Sequence, residues 1–205
     1  MAEQIFPTKG NLLKTKRQLA QAVMGYELMD RKRNILVREM VAMVDEAKEL
    51  RSTIESTYDE AYRSLQRANI ATGFAFELAQ TIPVENSIKL SVKSVMGVEL
   101  PKITYEMSPP IDPAYPMHLT NAAFDDAFIN FNKVKMFTVR LAEVENDIYR
   151  LANGIMKTQK RANALKNIII PKFREQVKFI TNALEEKERE EFSRQKVIKR
   201  RKFAK

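Results

Sequence analysis

Stepping by seven from Leu12 meets Leu12, Leu19, Tyr26, Arg33, Met40, Ala47, Ile54, Ala61 and Ala68, of which only Arg33 is charged. The companion positions three residues later, Thr15, Ala22, Met29, Leu36, Met43, Leu50, Thr57 and Ser64, carry no charge. Uncharged residues spaced by three and four keep one face of a helix dry. An unbroken phase over about eight heptads marks a coiled-coil seam and not an ordinary globular helix. At 1.5 Å per residue the helix would be roughly 90 to 100 Å long, more than a compact domain of this size encloses.

A second arm keeps its own seam: Val134, Phe137, Leu141, Val144, Ile148, Leu151, Ile155, Thr158, Ala162, Leu165 and Ile169 alternate spacings of three and four, and only Thr158 is polar. Beyond Ile169 the apolar positions are Phe173, Val177, Ile180 and Leu184, a shift of one residue that falls on Pro171. A proline inside a helix removes one backbone donor, and its ring meets the carbonyl four residues back, here that of Asn167. We read Pro171 as a kink in the shaft of the second arm, with a fresh helix starting there as the alternative.

Six of the eight prolines, Pro83, Pro101, Pro109, Pro110, Pro113 and Pro116, crowd the segment between the arms. Within it, Ile88, Leu90 and Val92 alternate with Lys89, Ser91 and Lys93, and beyond Gly97, Ile103 and Tyr105 alternate with Lys102, Thr104 and Glu106. Period two on both sides of a glycine-bearing turn predicts a β-hairpin with one apolar face. A lone hairpin is marginal in water, so that face is expected to pack on the coil or on a partner. The fold class is therefore mainly α: a long antiparallel two-helix coiled coil with a small mid-chain β-hairpin insert. The expected parts are an N-terminal coiled-coil helix over 1–82, the hairpin and a proline-rich extended link over 83–117, and a C-terminal coiled-coil helix over 118–205.

The inventory for chemistry is thin. There is no cysteine and one histidine, His118, so neither a thiol enzyme nor a zinc site is expected. Adjacent carboxylates such as Asp125 and Asp126 point about 100° apart on a helix and read as solvated faces. The stretch KGNLLKTK lacks the second glycine of a phosphate loop and opens a helix instead of following a strand. We expect no catalytic residue, no metal and no cofactor. No apolar run is long enough to span a membrane, and the start of the chain lacks a signal peptide's apolar core, so a cytoplasmic protein is expected.

The net charge is +9, and the last twelve residues, RQKVIKRRKFAK, hold seven basic side chains and no acidic one. Such an end suits an acidic protein partner or nucleic acid, and it also simply opposes the helix dipole. A stand-alone coiled-coil interaction protein with a basic, nucleic-acid-binding tail is the alternative function.

The opening PTKGNLLKTKRQLAQAVMGYELMDRKRNIL and the closing KRANALKNIIIPKFREQVKFITNALEEKEREEFSRQKVIK resemble the two ends of the D subunit of the V-type and archaeal-type rotary ATPases. Lys166, Met29 with Asp30, and Asn34 depart from the usual pattern, mostly on exposed faces. The resemblance implies a non-catalytic central-stalk shaft whose termini reach into the hexamer of nucleotide-binding A and B subunits. It also implies a mid-chain region that binds the small F subunit of the stalk and seats in the funnel-like subunit above the membrane rotor ring. On that reading Lys14, Lys16, Arg17, Arg194, Lys199 and Arg200 are the candidate hexamer contacts. Ile88, Leu90, Val92, Ile103 and Tyr105 are the candidate partner-facing hairpin, and no nucleic acid is expected.

Overall fold

The computed structural model describes residues 6–73, 80, 86–105, 115 and 120–203. The proline-rich link, His118 and the expected part boundaries near 82 and 117 lie outside the described residues. Helix α1 spans Lys9–Thr72, strands β1 and β2 span Ile88–Val95 and Val98–Tyr105, and α2 spans Ala122–Ala164. One π-helical stretch, Leu165–Ile169, then leads directly into α3, Ile170–Phe203.

Local chemistry sets these limits. The Asn11 N–H donates to Thr8 Oγ1 at 3.2 Å and the Phe124 N–H to Asn121 Oδ1 at 3.1 Å, so Thr8 and Asn121 cap the starts of α1 and α2. The first helix stops at Gly73, whose φ of 83° is open to glycine and whose N–H reaches the Asn69 carbonyl. Among the described side chains of α1 the eight buried ones, Thr15, Ala22, Leu36, Ala47, Ile54, Ala61, Ser64 and Ala68, all occupy the two heptad positions. In the second arm Val134, Val144, Leu151, Thr158 and Ala162 are buried where its seam predicts.

The chain divides into two compact units, Met1–Asn34 with Met156–Lys205, and Ile35–Ile155. In the first, Lys9 pairs with Glu188, a Cβ at Gly25 would meet Leu165, and Arg33 bonds Gln159. Partner numbers fall as α1 numbers rise, so the helices pair antiparallel. In the second unit Leu36 packs with Leu151, and Ala68 with Phe124 and Ala127, giving the same sense.

The π stretch accounts for the phase shift at Pro171. Its Ile170 N–H bonds the Leu165 carbonyl five residues back, which inserts one extra residue into the turn. The seam of α2 runs through Ala162, Leu165 and Ile169. That of α3 restarts on buried Ile170 and continues through Phe173, Val177 and Ile180. The helix thus runs on through Pro171 without an intervening break.

The hairpin is antiparallel, with Ile88 opposite Tyr105 and Val95 opposite Val98. Its two turn residues, Met96 and Gly97, both have positive φ, as a two-residue type I′ turn requires. The face that packs on the helices is the one opposite the row Ile88, Leu90 and Val92. Val95, Val98 and Leu100 pack with Leu36, Met40, Met43, Leu151 and Ile155, while Ile88, Leu90 and Val92 stay exposed. Leu100 lies three residues from Ile103, so on a strand of period two it faces the other way.

Candidate functional site

The six basic candidates all lie in the first unit and all are exposed, but they do not form one cluster. The Lys9–Glu188 ion pair at 3.1 Å fixes the level of the helices. Lys14, Lys16 and Arg17 stand on one side of it, where α1 and α3 are paired. Arg194, Lys199 and Arg200 stand on the other, along the last turns of α3, whose residues from Glu185 to Phe203 are all exposed. At 1.5 Å per residue Lys14 and Arg194 are separated by roughly 16 Å along the axis. Between them Glu185, Glu186, Glu188, Glu190 and Glu191 form an acidic band. The result is two basic levels with an acidic one between, which no count of net charge reveals.

The hairpin is fastened to α2 by side chains absent from the sequence expectations. The Ile103 N–H donates to Glu143 Oε2 at 3.1 Å, and Arg150 Nη1 donates to the Glu99 carbonyl at 3.1 Å. These bonds occupy the edge of β2 that β1 does not pair, and so shield an edge that otherwise invites association. Arg140 Nη1 holds Glu143 Oε1 at 2.9 Å. One turn along, Asp147 is buried with Oδ1 unbonded, and burial, then the neighbouring Glu143 charge, push its carboxyl above the ordinary range. Arg140, Arg150 and Lys93 oppose that rise.

Close approach completes the docking. A Cβ at Gly154 would stand 2.8 Å from Val98 Cγ2, nearer than two carbons tolerate, so the hairpin tip rests on bare helix backbone. A signal for this was present: Gly154 is the only glycine after Gly97, and Glu143, Asp147 and Arg150 recur at helical spacing beside the seam.

Of the five hairpin candidates, Ile88, Leu90 and Val92 are exposed, Leu90 at 73%. Ile103 and Tyr105 are half-buried, and Lys135 Nζ lies 5.7 Å from the Tyr105 ring. The structure therefore presents an apolar row on β1, with its cross-strand partners Ile103 and Tyr105 on the same face but half-buried. Among the described residues no group of three or more His, Cys, Asp or Glu could hold a metal ion, and no helix is long and apolar enough to cross a membrane.

Set beside known proteins, residues 11–200 match the family of the ATP synthase D subunit. The chain belongs to that family. The V-type ATP synthase D subunit of Thermotoga neapolitana is 46% identical over 197 residues, covering 95% of this chain and 97% of the relative. The A-type ATP synthase D subunits of Pyrococcus horikoshii and Methanobrevibacter smithii are each 36% identical, over 203 and 199 residues. They cover 96% and 95% of this chain, and 94% and 86% of their own lengths. The matched stretch contains the hairpin and the π stretch, so the family relationship covers the middle of the chain as well as its two ends.

Proposed function

We propose that the chain is the central rotor shaft of a V/A-type ion-translocating rotary ATPase, a non-catalytic subunit placed at the membrane's cytoplasmic side. The observation that carries this reading is family membership over residues 11–200, joined to a seam-paired helix hairpin with few glycines. An asymmetric shaft inside a three-fold hexamer of A and B subunits touches three otherwise equivalent nucleotide sites differently. It stabilises a different conformation at each, which is coupling through differential contact. Ion flow turns the shaft and drives ATP synthesis; hydrolysis turns it the other way.

In this proposal Lys14, Lys16, Arg17, Arg194, Lys199 and Arg200 meet acidic loops of the hexamer on two levels. The mid-chain part carrying the hairpin meets the small F subunit and the funnel-like subunit through Ile88, Leu90 and Val92, with Ile103 and Tyr105 beside them on the same face. Pro171 marks a bend that makes the shaft unequal toward the three sites. The two long arms and the hairpin insert act as the three functional parts.

Reconstitution tests this. Co-expressed with the nucleotide-binding subunits and the F subunit, the chain should co-purify in one complex. Charge reversal at Lys14, Lys16 and Arg17 or at Arg194, Lys199 and Arg200 should lower coupling between hydrolysis and ion transport. Failure to co-purify, or unchanged coupling after both reversals, contradicts the proposal.

A further inference from the structure

The first unit holds an unexplained glycine. Gly25 lies in the interior of α1, where glycine is less favourable than alanine because its backbone loses more freedom on folding. Packing does not require it. A Cβ at Gly25 would meet only Leu165 Cδ1, at 3.8 Å, an ordinary van der Waals distance. This contrasts with Gly154, where a Cβ would collide with Val98.

What stands across from Gly25 is Leu165, the first residue of the π stretch. That stretch lacks regular i to i+4 bonding and contains no buried residue, and one residue beyond it, after Ile170, comes Pro171, which brings no backbone donor. The buried seam residues leading up to it are small, Ala22 on α1 and Thr158 and Ala162 on α2, and the first large one is Ile170, just past the π stretch. Both helices are thus weakened at one level, one by a glycine and the other by a widened turn ahead of a proline. Few buried apolar contacts and incomplete helical bonding are the physical marks of a segment that opens at low cost.

We infer that Gly25 and the stretch Leu165–Pro171 together form a compliant joint, a level at which the helix pair bends or twists more readily than its flanks. For its use the inference rests on the rotor-shaft reading: such a joint absorbs strain between steps of the hexamer. The joint itself is a property of the chain alone. The register needs the extra residue so that the seams on both sides face α1. Pro171 keeps the turn from regaining its full bonding, and Gly25 lets the opposite helix follow.

Amide hydrogen exchange on the full chain, without partners, tests the joint independently of the shaft reading. In the wild type, amides of residues 22–29 and 165–170 should exchange about tenfold faster than those of 151–162 and 173–180. Gly25→Ala should slow exchange about fivefold in 22–29 and also in 165–170 on the opposite helix. Pro171→Ala should reciprocally slow 22–29. Gly25→Ala adds a better helix former without a clash, so loss of folding is not expected to obscure the result. Equal protection of these segments and their flanks in the wild type, or slowing confined to the mutated helix in both variants, would overturn the inference.

Discussion

The two compact units are built from the same helices in opposite manners. In Ile35–Ile155 the seam is filled by large side chains, with Leu36 and Leu151 wholly buried and Leu100 of the hairpin inserted beside them. A second cluster joins Tyr115, Phe124, Ala127 and Ala68, with the Tyr115 hydroxyl donating to Asp125 at 2.6 Å. In Met1–Asn34 with Met156–Lys205 the seam leading up to the π stretch is held by small residues, Ala22, Thr158 and Ala162, large buried side chains return only after it with Ile170 and Ile180, and α3 continues past Glu188 as fully exposed helix. One heptad pattern supports both because the pattern specifies which face is dry, not how much volume fills it.

The largest expected effect breaks the filled unit. Leu151→Ala should cost about 3 kcal/mol in chemical denaturation, since it removes a wholly buried side chain and leaves a cavity. Leu165→Ala, at a half-buried position in the other unit, should cost only about 1 kcal/mol. Equal costs would erase the distinction.

The two helix glycines sharpen it further, because the same substitution should act with opposite sign. Gly154→Ala drives a methyl into Val98 and should destabilise by about 1–3 kcal/mol, with loss of protection at the Val98 and Leu100 amides. Gly25→Ala should stabilise by roughly 0.5–1 kcal/mol. Both are read from urea midpoints at constant slope.

Asp147 belongs only to the filled unit, and its effect depends on pH. Its folded carboxyl titrates above the ordinary aspartate value, mainly because it is buried. The native state therefore holds that proton more tightly than the unfolded chain does. The resulting stability is fully present below the ordinary value and absent far above the native one, so it is lost as pH rises from about 4 through the native value. The stability gap between wild type and Asp147→Asn should change across that window and then level off, with the wild type losing ground as pH rises. A gap independent of pH would contradict the cause assigned. Smallest is the Arg140–Glu46 bridge at 2.6 Å, half-exposed on both sides. A double-mutant cycle should give about 0.5 kcal/mol, falling with added salt.

Much of this was legible in the sequence. The heptads named every buried residue among the described side chains of α1, because a long seam is a local, repeated signal. The one-residue phase shift at Pro171 was equally visible, and it corresponds to the inserted residue of the π stretch; the type of turn was not, since a phase shift is compatible with several backbone solutions. Strand positions were readable from alternation, but the docked face was not. Ile88, Leu90 and Val92 formed the more regular apolar row, whereas docking selected Val95, Val98 and Leu100, which meet Gly154 and Leu151 of a distant segment. Glu143 and Asp147 escaped for a related reason. A carboxylate next to a seam normally faces water, whereas here the docked strand's Ile103 N–H binds Glu143 and Asp147 is buried one turn on.

The central claim is that this chain turns within the complex. Its most direct test attaches a visible probe at exposed Lys48, which belongs to none of the proposed contacts, in the reconstituted, surface-anchored complex and follows the probe during ATP hydrolysis. The account predicts one-way rotation in steps of a third of a turn, each tied to nucleotide turnover. A probe that stays fixed in angle while ATP is hydrolysed would contradict it.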